Sequence, residues 1–348
     1  MVTASGMNAM GHVWMPTIRA HSGGDVFVER LASGLRERGW TVTIDWFDQR
    51  YEFVPGALSS RRPPQGTQII HANAQSGYAF AGHGLPLIVT EHHFVLDPAY
   101  RSHKSALQHM YHRLVTGRAA LRSMREASLV TTHSRFVART VMDACPRVRP
   151  RIIPLWVDLE RFSPSLPAPR EGRPLRLLFV GNVSRRKGFD MVLALAGRLG
   201  ADVEIRCTGG LRGVDHGDLP TNVVALGRLS DDELVQAYRD CDAALVPSRY
   251  EGFGYSALEA MACGRAVLGF ACGSVEEIIL DGEHGFLVPV NDIDGLEHRA
   301  RQLLADAALL ARLGAAGRYR AETLFTERLG VDAYIGAYAD VLASHRRA

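Results

Sequence analysis

Short, unbroken apolar runs recur along the chain, separated by stretches in which apolar residues return every three or four positions. In the first half the strand-length runs are Thr41–Trp46, Gln68–His71, Leu87–Thr90, Leu129–Thr132 and Arg151–Ile153. In the second half they are Arg176–Val180, Val203–Thr208, Val223–Leu226, Ala243–Val246 and Ala266–Gly269. Strands that are apolar on both faces and alternate with helical periods predict parallel sheets covered by helices on each side, an α/β fold. The halves are separated by Ser163-Pro-Ser-Leu-Pro-Ala-Pro-Arg-Glu-Gly-Arg-Pro174, whose prolines suppress helix and suit an exposed linker. The expected domains are residues 1–162, a linker at 163–174, and 175–330. Two doubly wound domains joined in this way would leave a cleft at the carboxyl ends of both sheets, where ligands bind in such folds.

With 348 residues, each half is long enough for its own core. Lysine and arginine number 40 against 37 acids, a balance without a nucleic-acid signature. The five cysteines are scattered, with no paired spacing for zinc or a disulfide framework, which fits a reducing cytoplasm. No apolar run reaches membrane-spanning length, and residues 1–16 lack a signal-peptide pattern. The segment 100–126 stands apart. It carries Arg101, Lys104, Arg113, Arg118, Arg122 and Arg125 against one acid, Glu126, with Leu107, Met110, Tyr111, Leu114, Val115, Leu121 and Met124 near helical spacing. Two readings are open: a helix covering the first sheet with a solvated basic side, or a surface that touches anionic lipid or an anionic acceptor.

The most telling chemistry lies in Glu251-Gly-Phe-Gly-Tyr-Ser-Ala-Leu-Glu259. It follows a strand, turns on glycine and opens a helix, so backbone N–H groups and the helix dipole form an anion site. Carboxylates on either side of that turn would repel a phosphate but suit neutral hydroxyls beside it. This combination indicates a nucleotide-sugar pocket. The second domain opens with Leu178-Phe-Val-Gly-Asn-Val-Ser-Arg-Arg-Lys-Gly188, a strand running into a basic loop that can place Arg185, Arg186 or Lys187 on a diphosphate.

At this point the chain resembles a GT-B glycosyltransferase of the large retaining family with the E-(x)7-E motif, of group 1 or family 4 type. The resemblance runs through Ser22-Gly-Gly-Asp25, Leu35-Arg-Glu-Arg-Gly-Trp40, Val89-Thr-Glu-His92, Thr131-Thr-His-Ser134 and Ile153-Pro-Leu-Trp-Val-Asp158. It continues through Lys187-Gly188, Leu226-Gly-Arg-Leu229, Leu258–Gly264 and Gly273–Pro289. It implies two Rossmann-like domains facing across a cleft, with a C-terminal helix, about 331–348, returning to the first. Lys187 would bind the donor diphosphate with help from Arg186, and Glu259 would hold the ribose hydroxyls. Glu251 would meet hydroxyls of the transferred sugar, beside Gly252, and the N–H groups of Phe253, Gly254 and Tyr255 would face sugar and phosphate. Gly23 and Gly24 would approach the phosphate from the first domain, and His92 would face the reacting sugar. Gly209, Arg228 and Leu229 would border the base. His71, Arg113, Arg118 and Arg122 are candidates for the acceptor or membrane side.

The resemblance further implies a cytoplasmic retaining transferase, peripheral at the inner membrane face if segment 100–126 touches lipid. It would need no metal or other cofactor beyond its nucleoside-diphosphate-sugar donor. Asp292-Ile-Asp294 spells a D-x-D but follows a turn, and reads as a helix cap. Three departures concern the donor and linker. Asn182 stands where an arginine usually follows the glycine, Leu155-Trp156 replace an Asn-Gly, and the base-side turn is Cys207-Thr-Gly-Gly210. Rival functions are a sugar-nucleotide epimerase or silent binding subunit of the same fold, and a nicotinamide oxidoreductase suggested by the loose G-x-G-x-x-A at Gly252–Ala257. In isolation His92 and His71 also read as core histidines.

Overall fold

The computed structural model describes residues 10–20, 22–165, 172–209 and 219–347. His21, Gly210 and the middle of the proline-rich segment therefore lie outside the described residues. The chain divides into two compact units, 1–155 with 327–348, and 156–326.

Unit 1 holds six parallel strands: β1 (His12–Ile18), β2 (Thr41–Phe47), β3 (Ile69–Asn73), β4 (Leu87–Glu91), β5 (Leu129–Thr132) and β6 (Arg151–Ile152). Their order is β2-β1-β3-β4-β5-β6. Unit 2 holds β7 (Leu175–Phe179), β8 (Val203–Thr208), β9 (Val223–Gly227), β10 (Ala243–Val246), β11 (Ala266–Phe270) and β12 (Gly285–Val288). These are again all parallel, in the order β12-β11-β10-β7-β8-β9. Each sheet reverses its winding at one point, between β1 and β3 in unit 1 and between β7 and β10 in unit 2. The carboxyl ends at such a switch point splay their loops apart and leave room for a ligand.

The ten predicted strands are present within two residues of their expected bounds, and two others went unread. One is β1, where Pro16 argues against an interior strand. The His12 carbonyl accepts from Gln68 N and the Gly11 carbonyl from Thr41 N, so even-numbered residues of β1 turn toward β3. Pairing with β3 ends at Trp14, so Pro16 sits past the ladder and withholds no needed donor. The other is β12, four residues opened by Gly285, where a side chain would strike the Val267 carbonyl of β11.

The helix Gly23–Glu37 buries Phe27, Val28, Leu31, Ala32 and Leu35 on one face and is capped by Ser22, which accepts from Gly24 N. At Gly34 it meets the C-terminal helix Glu327–His345 so closely that a Cβ would press on Val331. That helix sends the fully buried Tyr334 and Tyr338 into unit 1. The division between units falls before the proline-rich segment because residues just after it bind unit 2. Val157 N donates to the Phe325 carbonyl, Arg239 Nε to the Ser163 carbonyl (3.0 Å), and Phe162 packs edge-on against Tyr238.

Candidate active site

The loop after β7 and the loop after β10 meet at the switch point of unit 2. Gly188 caps the helix Phe189–Leu199 in the left-handed region (φ 75°), and a Cβ there would collide with the Pro247 carbonyl at the end of β10. Arg249 fastens the same junction. Its guanidinium takes both Asp190 oxygens at 2.6 and 2.7 Å, and its N–H donates to the Arg186 carbonyl. With the backbones locked together, Lys187 Nζ lies 2.7 Å from Glu251 Oε2 and Arg186 stands 3.9 Å from the same oxygen. Arg186 also donates to the Tyr250 carbonyl. Burial works against ionising Glu251, but Lys187 and Arg186, with hydrogen bonds from Lys187 and Ser248, outweigh it and hold its carboxyl below the usual range. Two cations and one carboxylate thus share a largely desolvated spot.

Gly254, at φ 107°, opens the eight-residue helix Tyr255–Ala262, which has no side-chain cap. Ser274 holds the turn from behind, its Oγ 3.1 and 2.6 Å from the carbonyls of Glu251 and Phe253. Those carbonyls are thereby tied toward Ser274 while the start of the helix follows at Gly252–Tyr255. Glu259 lies one turn further on, buried, and accepts from the Tyr238 hydroxyl at 3.0 Å. At the neighbouring strand ends, Gly209 follows β8, and a Cβ there would collide with the Gly181 carbonyl. Its N–H donates to Gly227 O at 2.8 Å. Asn182 is exposed and bonds Ser184, Arg228 is exposed, and Leu229 is half-buried. The structure brings Lys187, Arg186, Glu251 and the Phe253–Tyr255 turn together and sets Glu259 on the same helix.

In unit 1 the predicted residues gather at the ends of β3, β4 and β5. A Cβ on Gly24 would stand 3.6 Å from His92 Nε2, so the helix start and this ring are neighbours. His92 Nδ1 is 2.9 Å from His133 Nε2, and His92 Nε2 is 3.1 Å from the Asn73 carboxamide. Burial, then His133, His93 and His71, push His92 well below the ordinary histidine range, so it is neutral. His71 has a structural place. Its nitrogens lie 2.8 Å from Tyr338 Oη and 2.7 Å from Thr90 Oγ1, and burial drives it to about 3. Arg113 and Arg118 are exposed, whereas Arg122 is tied to Glu126 at 2.7 Å and lies over the Tyr78 ring.

Segment 100–126 follows the covering-helix expectation in its second half, where Ala120 and Met124 join the core of unit 1, and leaves its first half outward. The helices Ala106–Tyr111 and Gly117–Glu126 are joined through a π-helical turn, His112–Thr116. The extra residue of a π turn rotates the face. Gly117, Ala119, Ala120 and Met124 point inward, but Leu107, Met110 and Leu114 are 71%, 53% and 48% exposed.

Sequence reasoning passed over Arg249, Tyr238, Ser274 and His133, which position the named residues. Of these, His133 and Ser274 lay within quoted motifs, though neither was singled out; Arg249 and Tyr238 lay outside them and act through contacts distant in sequence. Asp292 caps the helix Ile293–Ala305 and Asp294 pairs with Arg198, in keeping with the cap reading. Among the described residues no group of histidine, cysteine and acidic side chains is arranged to hold a metal, and no helix is long and apolar enough to cross a membrane.

Residues 167–320 match the family described as Glycosyl transferases group 1. The chain is 31% identical over 242 residues to a D-inositol 3-phosphate glycosyltransferase of Geodermatophilus obscurus, a match spanning 61% of this chain and 52% of that protein. It thus spans about half the length of such curated relatives. Sucrose-phosphate synthase from Thermosynechococcus elongatus superposes with a TM-score of 0.80 at 20% identity, over 95% of this chain and 99% of that one. Anabaena HepE, solved with UDP and glucose, superposes at 0.77 with 17% identity, over 94% and 100%. The family match over residues 167–320 makes unit 2 similar to the group 1 glycosyl transferases, in line with the glycosyltransferase relatives, and the shared two-sheet architecture shows the GT-B fold for the chain.

Proposed function

We propose that the protein moves a sugar from a nucleoside-diphosphate sugar to an acceptor hydroxyl, with retained anomeric configuration and without a metal. The observation that carries this reading is the Lys187–Arg186–Glu251 cluster beside an uncapped helix start at the switch point of unit 2. Lys187, Arg186 and the N-terminal turn of Tyr255–Ala262 would take up the charge that a departing diphosphate develops. Glu251 and Glu259 would accept hydrogen bonds from hydroxyls of the sugar and ribose. Glu251 is committed to Lys187 and to such hydroxyls, which favours same-face attack assisted by the leaving phosphate over attack by this carboxylate.

The test is a nucleotide-sugar panel incubated with and without acceptors, headed by UDP-sugars because a similarly folded protein holds UDP. Acceptor-dependent release of the nucleoside diphosphate is expected. Interconversion of sugars without an acceptor would replace the proposal with an epimerase.

For the acceptor side, the outward ridge of Leu107, Met110 and Leu114 favours an anionic membrane surface. Phe53 and Val54 are exposed as well, and Phe53 rests against Tyr111, with Arg101, Arg113 and Arg118 outward in the same segment. Apolar side chains among cations suit the boundary between headgroups and acyl chains. Replacing Leu107, Met110 and Leu114 together with serine should lower co-sedimentation with phosphatidylglycerol vesicles, and reversing Arg113 and Arg118 should do the same. Undiminished binding by both variants would leave only the covering role.

A further inference from the structure

We infer that His133 is a positioning residue that holds His92 as the tautomer protonated on Nδ1, so that Nε2 of His92 presents a lone pair to a substrate hydroxyl. The direction of the chain of bonds follows from its far end. His133 Nδ1 lies 3.2 Å from the Ile153 carbonyl oxygen, and a carbonyl only accepts, so His133 carries its proton on Nδ1. Burial keeps that ring neutral, with its pKa drawn down to about 4. Its Nε2 is therefore an acceptor. The 2.9 Å contact with His92 then requires the proton on His92 Nδ1, and neutral His92 is left with a lone pair on Nε2.

Two neighbours bear on this polarity. The Asn73 carboxamide stands 3.1 Å from Nε2 with its Oδ1 nearest, and the inferred lone pair requires the amide turned by half a revolution so that its N–H2 donates there. Gly24, at the start of the helix Gly23–Glu37, is the other neighbour, and the positive end of a helix dipole disfavours a proton on the ring beside it. The packing fixes the ring plane as well: Phe27 contacts both His92 and His133 at centroid distances of 5.2 and 4.9 Å. His92 is thus built to receive a hydrogen bond rather than to deliver a proton. This rests on the glycosyl-transfer reading only for the owner of the hydroxyl, a sugar of the donor; the tautomer itself follows from the protein alone.

The experiment is two-bond hydrogen–nitrogen correlation NMR of the full chain labelled with ¹⁵N-histidine, with His92 assigned by loss of its signals in His92→Gln. A protonated-type resonance at Nδ1 and an unprotonated-type resonance at Nε2 are expected, and the reverse pattern overturns the inference. In His133→Ala the His92 pattern should move toward the averaged position of a ring exchanging tautomers. His133→Gln, whose carbonyl can accept, should restore the shift at Nδ1. An unchanged His92 pattern in a folded His133→Ala also overturns it. If that variant does not fold, the wild-type spectrum decides alone. None of these readings needs a sugar nucleotide, so a failed donor panel and a failed tautomer assignment are separate results.

Discussion

Replacing Lys187 with alanine is expected to cut turnover by on the order of 10²-fold or more, the usual cost of deleting one preorganised group that meets developing charge. The variant also strips Glu251 of its 2.7 Å partner, leaving a carboxylate that is 14% exposed with Arg186 at 3.9 Å and Ser248. Removing one member of a buried pair costs about 3–5 kcal/mol where nothing compensates. A loss of activity could therefore reflect a disturbed loop. Glu251→Gln in the Lys187→Ala background separates the two causes, because it removes the stranded charge. The double variant should regain thermal stability and stay as inactive as the single one, in initial rates measured with the donor found by the panel. Near-wild-type rates in Lys187→Ala would remove this residue from the site.

A change of pH should reveal a second large effect, in unit 1. Glu91, at the end of β4, is buried, and that burial raises its carboxyl to about 8 despite backbone hydrogen bonds from His93 and His92. A carboxyl with a raised folded pKa contributes stability that is complete below the unfolded value near 4.5 and is lost as pH climbs to about 8. His71, at about 3, and His133, at about 4, are depressed by burial. They contribute above 6.5, and that contribution is lost as pH falls through their folded values. His92 is depressed in the same sense. Below 6.5 the histidines outnumber the carboxyl, so stability rises with pH. From there to about 8 the Glu91 loss outweighs Lys104, whose pKa burial lowers to about 8 and which opposes the loss only near the top of that interval, and stability falls. The crest is therefore expected near pH 6.5. Between there and pH 8 the slope is at most about 1.4 kcal/mol per pH unit, for a total of about 2 kcal/mol. For a unit of this size that is a drop in Tm of about 4–8 °C. Glu91→Gln keeps an acceptor for His93 N–H and has no charge to bury, so its Tm should be level over that interval in melts followed by circular dichroism. A parallel decline in the variant would assign the loss elsewhere.

The sheets were legible chiefly through central strands that are buried on both faces, which leaves unbroken apolar runs such as Ala243–Val246 that no helix period explains. β1 was hidden by Pro16, whose tolerance depends on where pairing with β3 stops, a fact of register rather than of composition. The donor-side cluster was legible in outline, since glycine turns and charged residues stand at strand ends. Its stiffening was not. Arg249 reaches Asp190 from 59 positions away and Tyr238 reaches Glu259 from 21, and nothing local to any of the four predicts the pairing. Segment 100–126 was legible only as two open readings, for a different reason. One π turn changes which apolar residues share a face, and a period of 3.6 cannot anticipate it.

The return of the helix Glu327–His345 to unit 1 has a consequence for the order in which the molecule is made. Unit 2 is one continuous stretch and can close as soon as residue 326 has emerged from the ribosome. Unit 1 has its sheet complete by residue 155 but lacks Tyr334 and Tyr338, which contact His71 and Thr131, until the last part of the chain appears. The intervening residues 156–326 take roughly 10–30 s to synthesise at ordinary rates. Throughout that interval the helix Gly23–Glu37 has no Val331 against Gly34, and the pocket around His71 stays open on one side. The half bearing Lys187 and Glu251 is finished first, and the half bearing His92 waits for the final helix.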